Sequence, residues 1–285
     1  PKTRGTGRSI ALQYNGRSPL LAQCMISHCW GEDVEELLNA LELSGLRDDT
    51  PVFFCLLSIY QPGAEDGDVG PTIPQQLEKS PFLEVIHNIK ESLNKQRRKR
   101  RQSNETSESM AAVLTQSKMI VVHTTKAELY ERLWCVHEID EALEAGIKVD
   151  GVCSVYYALN SVDKFGKSGF IDPSKIKIDS SKAKCANPVD EKLLRTIIER
   201  KEGGYALLDS TVFNFRRKMI SRIILRGRRL TSEFPEMKGM GRAASMKRLG
   251  TAAISKANQF FKKMNRWDEG EMPDDLDSKS SLHSW

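Results

Sequence analysis

"CMISHCWGEDVEELLNAL", residues 24 to 41, is the stretch on which the fold turns. Its first four residues form an apolar run too short for a helix, which reads as a buried strand. Asp33 then opens a helical pattern, "DVEELLNALELSGL" (33–46), with acids in the first turn, where the helix dipole favours them, and Gly45 as a stop. A strand running directly into an amphipathic helix is the first half of a parallel β-α-β unit.

The pattern repeats along the chain. "VFFCLLSI" (52–59), "MIVVH" (119–123) and "VCSVYYA" (152–158) read as three further strands, and "KIKID" (175–179) as a short fifth. Helical spacing falls between and after them, in "FLEVIHNIKESLNK" (82–95), "RLWCVHEIDEAL" (132–143) and "VDEKLLRTIIERKEGGY" (189–205), the last stopped by Gly203 and Gly204. Alternating elements predict an α/β domain, with a small parallel sheet of four or five strands and helices on both faces. Its bounds read as 20–219, after an N-terminal flexible segment (1–19) and before a C-terminal helical extension (220–285). In that extension, apolar residues from Met246 to Trp267 share one helical face opposite lysines and arginines. Such a basic amphipathic helix suits a membrane surface, a calmodulin-like groove, or simple packing on its own domain. The acidic tail after Asp268 reads as disordered.

Composition excludes several classes. With 285 residues, 39% hydrophobic and 28% charged, the chain is of ordinary globular make-up, and no apolar run reaches the roughly 20 residues of a membrane span. The expected location is cytoplasmic. Six cysteines without a CxxC pair, most of them in apolar runs, read as reduced core thiols, and no metal site is indicated. "RRKRR" (97–101) lies in a basic polar insertion near 96–109, but no nucleic-acid-binding motif accompanies it, so nucleic acid is not an expected partner.

In parallel sheets ligands sit beyond the carboxyl ends of the strands. "SHCWGE", "SIYQPGAEDGDVG" (58–70) and "HTTKAELYE" (123–131) should therefore share one rim. The helix of 132–143 bears on this rim in an unusual way. Leu133, Val136, Ile139 and Leu143 gather on one side, while Trp134 and Glu138 lie opposite. "TKAE" (125–128) matches a capping box. A helix starting there would carry Glu138 roughly 18 Å past the rim. A start near Leu133 would instead leave Glu138 within reach of the cleft, and this second arrangement is the expected one.

In order and spacing these motifs resemble the Toll/interleukin receptor (TIR) domain, and in particular divergent members from unicellular eukaryotes. "MISHCWGEDVEELLNAL" is similar to the family's first box, and "LWCVHEI" to the W-C-x-x-E helix of plant-type members. The likeness spans about residues 22–160. It implies a flavodoxin-like three-layer fold and a signalling domain that acts by self-association and by recruiting other TIR-like domains. In members that cleave NAD, the glutamate of this helix is catalytic, and the resemblance carries that role to Glu138. Releasing nicotinamide from ribose generates oxocarbenium character, which one carboxylate can stabilise, and nicotinamide leaves as a neutral base. NAD would then be a substrate, with no cofactor tightly bound. Trp30 and Trp134 could offer ring faces to it, and Ser27 and His28 hydrogen bonds. The expected function is the signalling domain that works by self-association and partner recruitment; the alternatives are an active NAD-cleaving enzyme that releases nicotinamide through Glu138, and a nucleoside hydrolase or transferase on a related fold. The chain departs from the family in Cys29, where many members carry arginine, and in the length of the "RRKRR" insertion. It also has no G-x-G-x-x-G grip.

Overall fold

The computed structural model describes residues 3, 5–16, 18–62, 68–102, 117–165 and 175–233. The expected helix of 246–267, the acidic tail and the second half of the insertion (103–109) lie outside these residues. Four parallel strands, β1 (Cys24–Ser27), β2 (Val52–Phe54), β3 (Lys118–His123) and β4 (Val149–Cys153), pair in the order β2-β1-β3-β4. The register sets Met25 beside Phe53 and Met119, and Val121 beside Gly151. This is the expected α/β architecture with four strands. The chain passes to opposite sides of β1 after β1 and before β3, so the rim between these two is the switch point where such folds hold ligands.

Side chains alternate across the sheet. Cys24, Ile26, Ile120 and Val122 pack under α2 (Val34–Glu42), through Leu37 and Ala40. Met25, Met119 and Val121 face a larger core built from α5 (Pro81–Gln102), α6 (Leu133–Glu144), α8 (Pro188–Arg200) and α9 (Gly204–Glu233). Short helices α1 (Ile10–Tyr14), α3 (Cys55–Ser58) and α4 (Ile73–Leu77) and the longer α7 (Val155–Phe165) complete the order. Asp33 caps α2 by accepting the Glu36 amide, as its position before an acidic first turn suggests. The N-terminal segment, expected to be flexible, carries α1 and buries Thr3, whose hydroxyl bonds the Gln61 carbonyl.

Several element bounds differ from those read in the sequence. The second apolar run is a strand only to Phe54, which pairs with Ile26; from Cys55 the chain closes into one helical turn, and Ser58 Oγ accepts the Phe54 amide. The fourth run was read too late, because Asp150 and Gly151 interrupt the apolar pattern of β4. "VYYA" belongs instead to α7, whose first turn is held by Ser154 Oγ accepting from Tyr157 N. Helix α5 runs to Gln102, so "RRKRR" continues a helix. No fifth strand forms at 175–179, since that stretch bonds to α9 instead: Arg216 donates to the Lys177 carbonyl and Asp209 accepts the Ser180 amide. The expected boundary at Met219 falls inside α9, where Ile220, Ile223 and Ile224 remain in the same core.

The sheet is bordered by the three residues of β2 on one side. On the other lies β4, whose Asp150 pairs with Lys118 and Lys148. No helix among the described residues is long and apolar enough to cross a membrane.

Candidate functional site

Helix α6 begins at Leu133 because two neighbours take the groups that an earlier start would need. Thr125 gives its amide and its hydroxyl to Glu36, and Glu128 accepts the Tyr130 amide and pairs with Arg216 at 2.9 Å. Neither is free to make the capping box. A single 3₁₀ turn (Leu129–Glu131) follows, and Arg132 is extended. The segment around Lys184 lies alongside it, with the Lys184 amide donating to Glu131 O and the Leu133 amide to Lys184 O. These bonds fix the start of α6 and set Glu138 in its second turn.

Glu138 is buried, at 6% exposure, and Ser27 at the end of β1 donates a hydrogen bond to its Oε2 at 2.6 Å. Burial pushes its carboxyl up to about 7, against the opposing pull of the Ser27 hydroxyl and of His28. Beside it opens a cavity of about 220 Å³, walled by Trp30, Cys55, Phe82, Arg132, Trp134 and Asp190 among others. Trp30 is 52% exposed and stands at the mouth. Trp134 is held in the wall, tilted on Phe82 at 5.0 Å between ring centres, with Asp190 lining the same cavity.

The expected site residues thus meet, but in unequal roles. Glu138, His28, Trp30 and Trp134 all line the cavity. Ser27 spends its hydroxyl on Glu138, and both ring nitrogens of His28 are engaged within the protein, Nδ1 with Glu32 at 2.6 Å and Nε2 with Cys55 Sγ at 3.1 Å. Neither is open to a ligand in the way anticipated. Burial alone would depress His28, but its bonds to Cys55 and Glu32 prevail and raise it to about 10. Sequence reasoning missed Cys55, Arg132 and Asp190. The first was hidden by being read as mid-strand, although the residue after the last residue of a strand stands on the rim. Asp190 comes from α8, beyond the stretch that the family resemblance covers.

Trp30 and Arg132 also border a second, wider basin of about 740 Å³, lined by Lys126, Lys164, Lys175, Lys177 and Arg216. Arg216 is buried at 5% exposure against the Tyr130 ring, and its Nε meets no acceptor among the described residues. The basin's lining sets eight lysines and arginines against Glu128, Glu131 and Asp179, so it carries net positive charge where it shares Trp30 and Arg132 with the Glu138 cavity. Among the described residues, the carboxylates close enough together to hold a metal ion are Asp140, Glu141 and Glu144, and the Lys201 ammonium already lies within 2.9 Å of each. No protein-family model, curated protein or solved structure matches the chain.

Proposed function

We propose that this chain is a TIR-like domain in which Glu138 cleaves the bond between nicotinamide and ribose in NAD. The observation that carries the reading is the Glu138 carboxylate itself, buried beside an aromatic cavity at the sheet's switch point and oriented by Ser27. A carboxylate in so dry a setting interacts strongly with a sugar that develops positive charge. Phe82, Trp134 and Trp30 suit a flat nicotinamide ring. The cavity is smaller than the roughly 300–1,000 Å³ typical of sites that enclose a whole drug-sized ligand. The dinucleotide would accordingly enter by its nicotinamide end and leave its phosphates over the basic basin beyond Trp30 and Arg132.

Glu138 acts only when ionised, so cleavage should rise with pH through about 7 and then hold level. Incubating the protein with NAD and following nicotinamide release tests the proposal. Glu138→Gln should lower release by about 100-fold or more, whereas equal release from both proteins refutes the role. The small cavity and the raised Glu138 carboxyl favour a second reading, a silent module that works by self-association or by recruiting other TIR-like domains. Under that reading no nicotinamide appears at any pH, while the protein self-associates in sedimentation. The six free thiols suit the reducing cytoplasm under either reading.

A further inference from the structure

Cys55, His28 and Glu32 form a linked series. The sulfur lies 3.1 Å from His28 Nε2, and His28 Nδ1 lies 2.6 Å from Glu32 Oε1. A nucleophile bonded to an imidazole that is itself oriented by a carboxylate is the arrangement that activates cysteine. The three groups come from separate places on the rim: the loop after β1 supplies His28, the lead into α2 supplies Glu32, and the first residue of α3, directly after β2, is Cys55. Cys55 faces the same cavity as Glu138, whose mouth lies at the exposed Trp30 and Ala186. None of the chemistry assigned to Glu138 uses this sulfur.

We propose that Cys55 is a covalent capture site for small, uncharged α,β-unsaturated carbonyl compounds, with His28 as its proton carrier and Glu32 as the positioning residue. The proton shared by Cys55 Sγ and His28 Nε2 rests on the imidazole while the sulfur's electron pair forms a C–S bond to the β-carbon of the electrophile. The π electrons move through the α-carbon to the carbonyl oxygen, and the resulting enolate takes that proton from His28 Nε2 at its α-carbon; water then restores the proton to His28. One C–S and one C–H bond form, the C=C π bond and the N–H bond to the shared proton are lost, and no oxidant or leaving group is needed. The apolar walls, Ile59, Leu77, Phe82 and Trp134, favour an uncharged ligand. Its adduct would occupy the space beside Glu138.

The remaining thiols provide internal controls. Burial pushes Cys24 and Cys153 up to about 12 and Cys185 up to about 11, so they stay protonated. Cys185 is nonetheless the most exposed of the six. The charged or titratable groups that share the cavity with the Cys55 sulfur are His28, Arg132, Cys135, Glu138 and Asp190.

N-ethylmaleimide at limiting dose, with the modified residue located by peptide mass, tests the proposal on the folded chain whether or not it cleaves NAD. Cys55 should be labelled at least about tenfold faster than Cys185 at neutral pH, and His28→Gln should slow Cys55 by about tenfold or more. If His28→Gln does not fold, Glu32→Gln decides: it leaves Cys55 and His28 in place, removes the carboxylate that orients the imidazole, and should slow Cys55 by about threefold or more. Labelling of Cys185 first, or a rate within about twofold of the parent in the variant that folds, would overturn the proposal.

Discussion

A carboxylate in the second turn of a helix, walled by tryptophan and given one hydroxyl, loses most of its hydration and holds its proton more tightly than in the unfolded chain. Glu138 therefore lends stability below its ordinary value of 4.5, and that contribution is lost as the pH climbs through about 7. Glu138→Gln should consequently melt like the parent near pH 4.5 and be the more stable protein at pH 8, by up to about 3 kcal/mol. Thermal denaturation of both proteins at the two pH values checks this, and equal melting at pH 8 would contradict the buried, proton-retaining carboxyl. Helical spacing was enough to set Trp134 and Glu138 on one face. It could not supply the partner, because Ser27 stands 111 positions earlier. Nor could it show that His28 has both nitrogens occupied, since one of its partners, Cys55, reaches it only through the β1–β2 pairing.

Among the elements, α2 is tied to the rim by two buried polar side chains, Asn39, which accepts the Val155 amide, and Glu36. Glu36 accepts from the Thr125 amide and hydroxyl and from Ser154 Oγ, joining the helix to the ends of β3 and β4. Glu36→Ala leaves these donors unmet in a dry setting and should cost about 2–3 kcal/mol. Urea denaturation with an unchanged slope is the measurement. The same bonds explain what the sequence hid: "TKAE" has the residues of a capping box, but Thr125 is claimed by a glutamate 89 positions away. The central strands were plain in the sequence because both of their faces are covered and their apolar runs are unbroken. The outer strands were not. β2 ends at Phe54, where the chain turns into α3 although β1 runs on to Ser27, while β4 includes Asp150 and Gly151, whose fit depends on Lys118 beside the one and Met219 against the other.

On the scale of the whole molecule, α9 binds the late part of the chain to the domain. Its Gly227 passes so close to α7 that a Cβ there would sit 2.3 Å from the Ala158 carbonyl oxygen and 2.7 Å from Val162. Gly227→Ala should force the two helices apart and cost about 2–3 kcal/mol in spite of alanine's better helix propensity. A melting temperature unchanged or raised would show that the helices do not approach so closely. Helical spacing in the sequence was read only to the stop at Gly203 and Gly204 and again from Met246, so α9 was missed, and with it an attachment that rests on a missing side chain and on the Arg216 contact with the Tyr130 ring. The two borders of the sheet bear on how copies of the chain can meet. With three residues along one margin and a clustered acid and lysines along the other, few main-chain amides are left to template an incoming strand. Assembly of the folded protein would thus proceed through side-chain surfaces on helices and connecting segments, and would saturate as discrete particles instead of growing as fibrils.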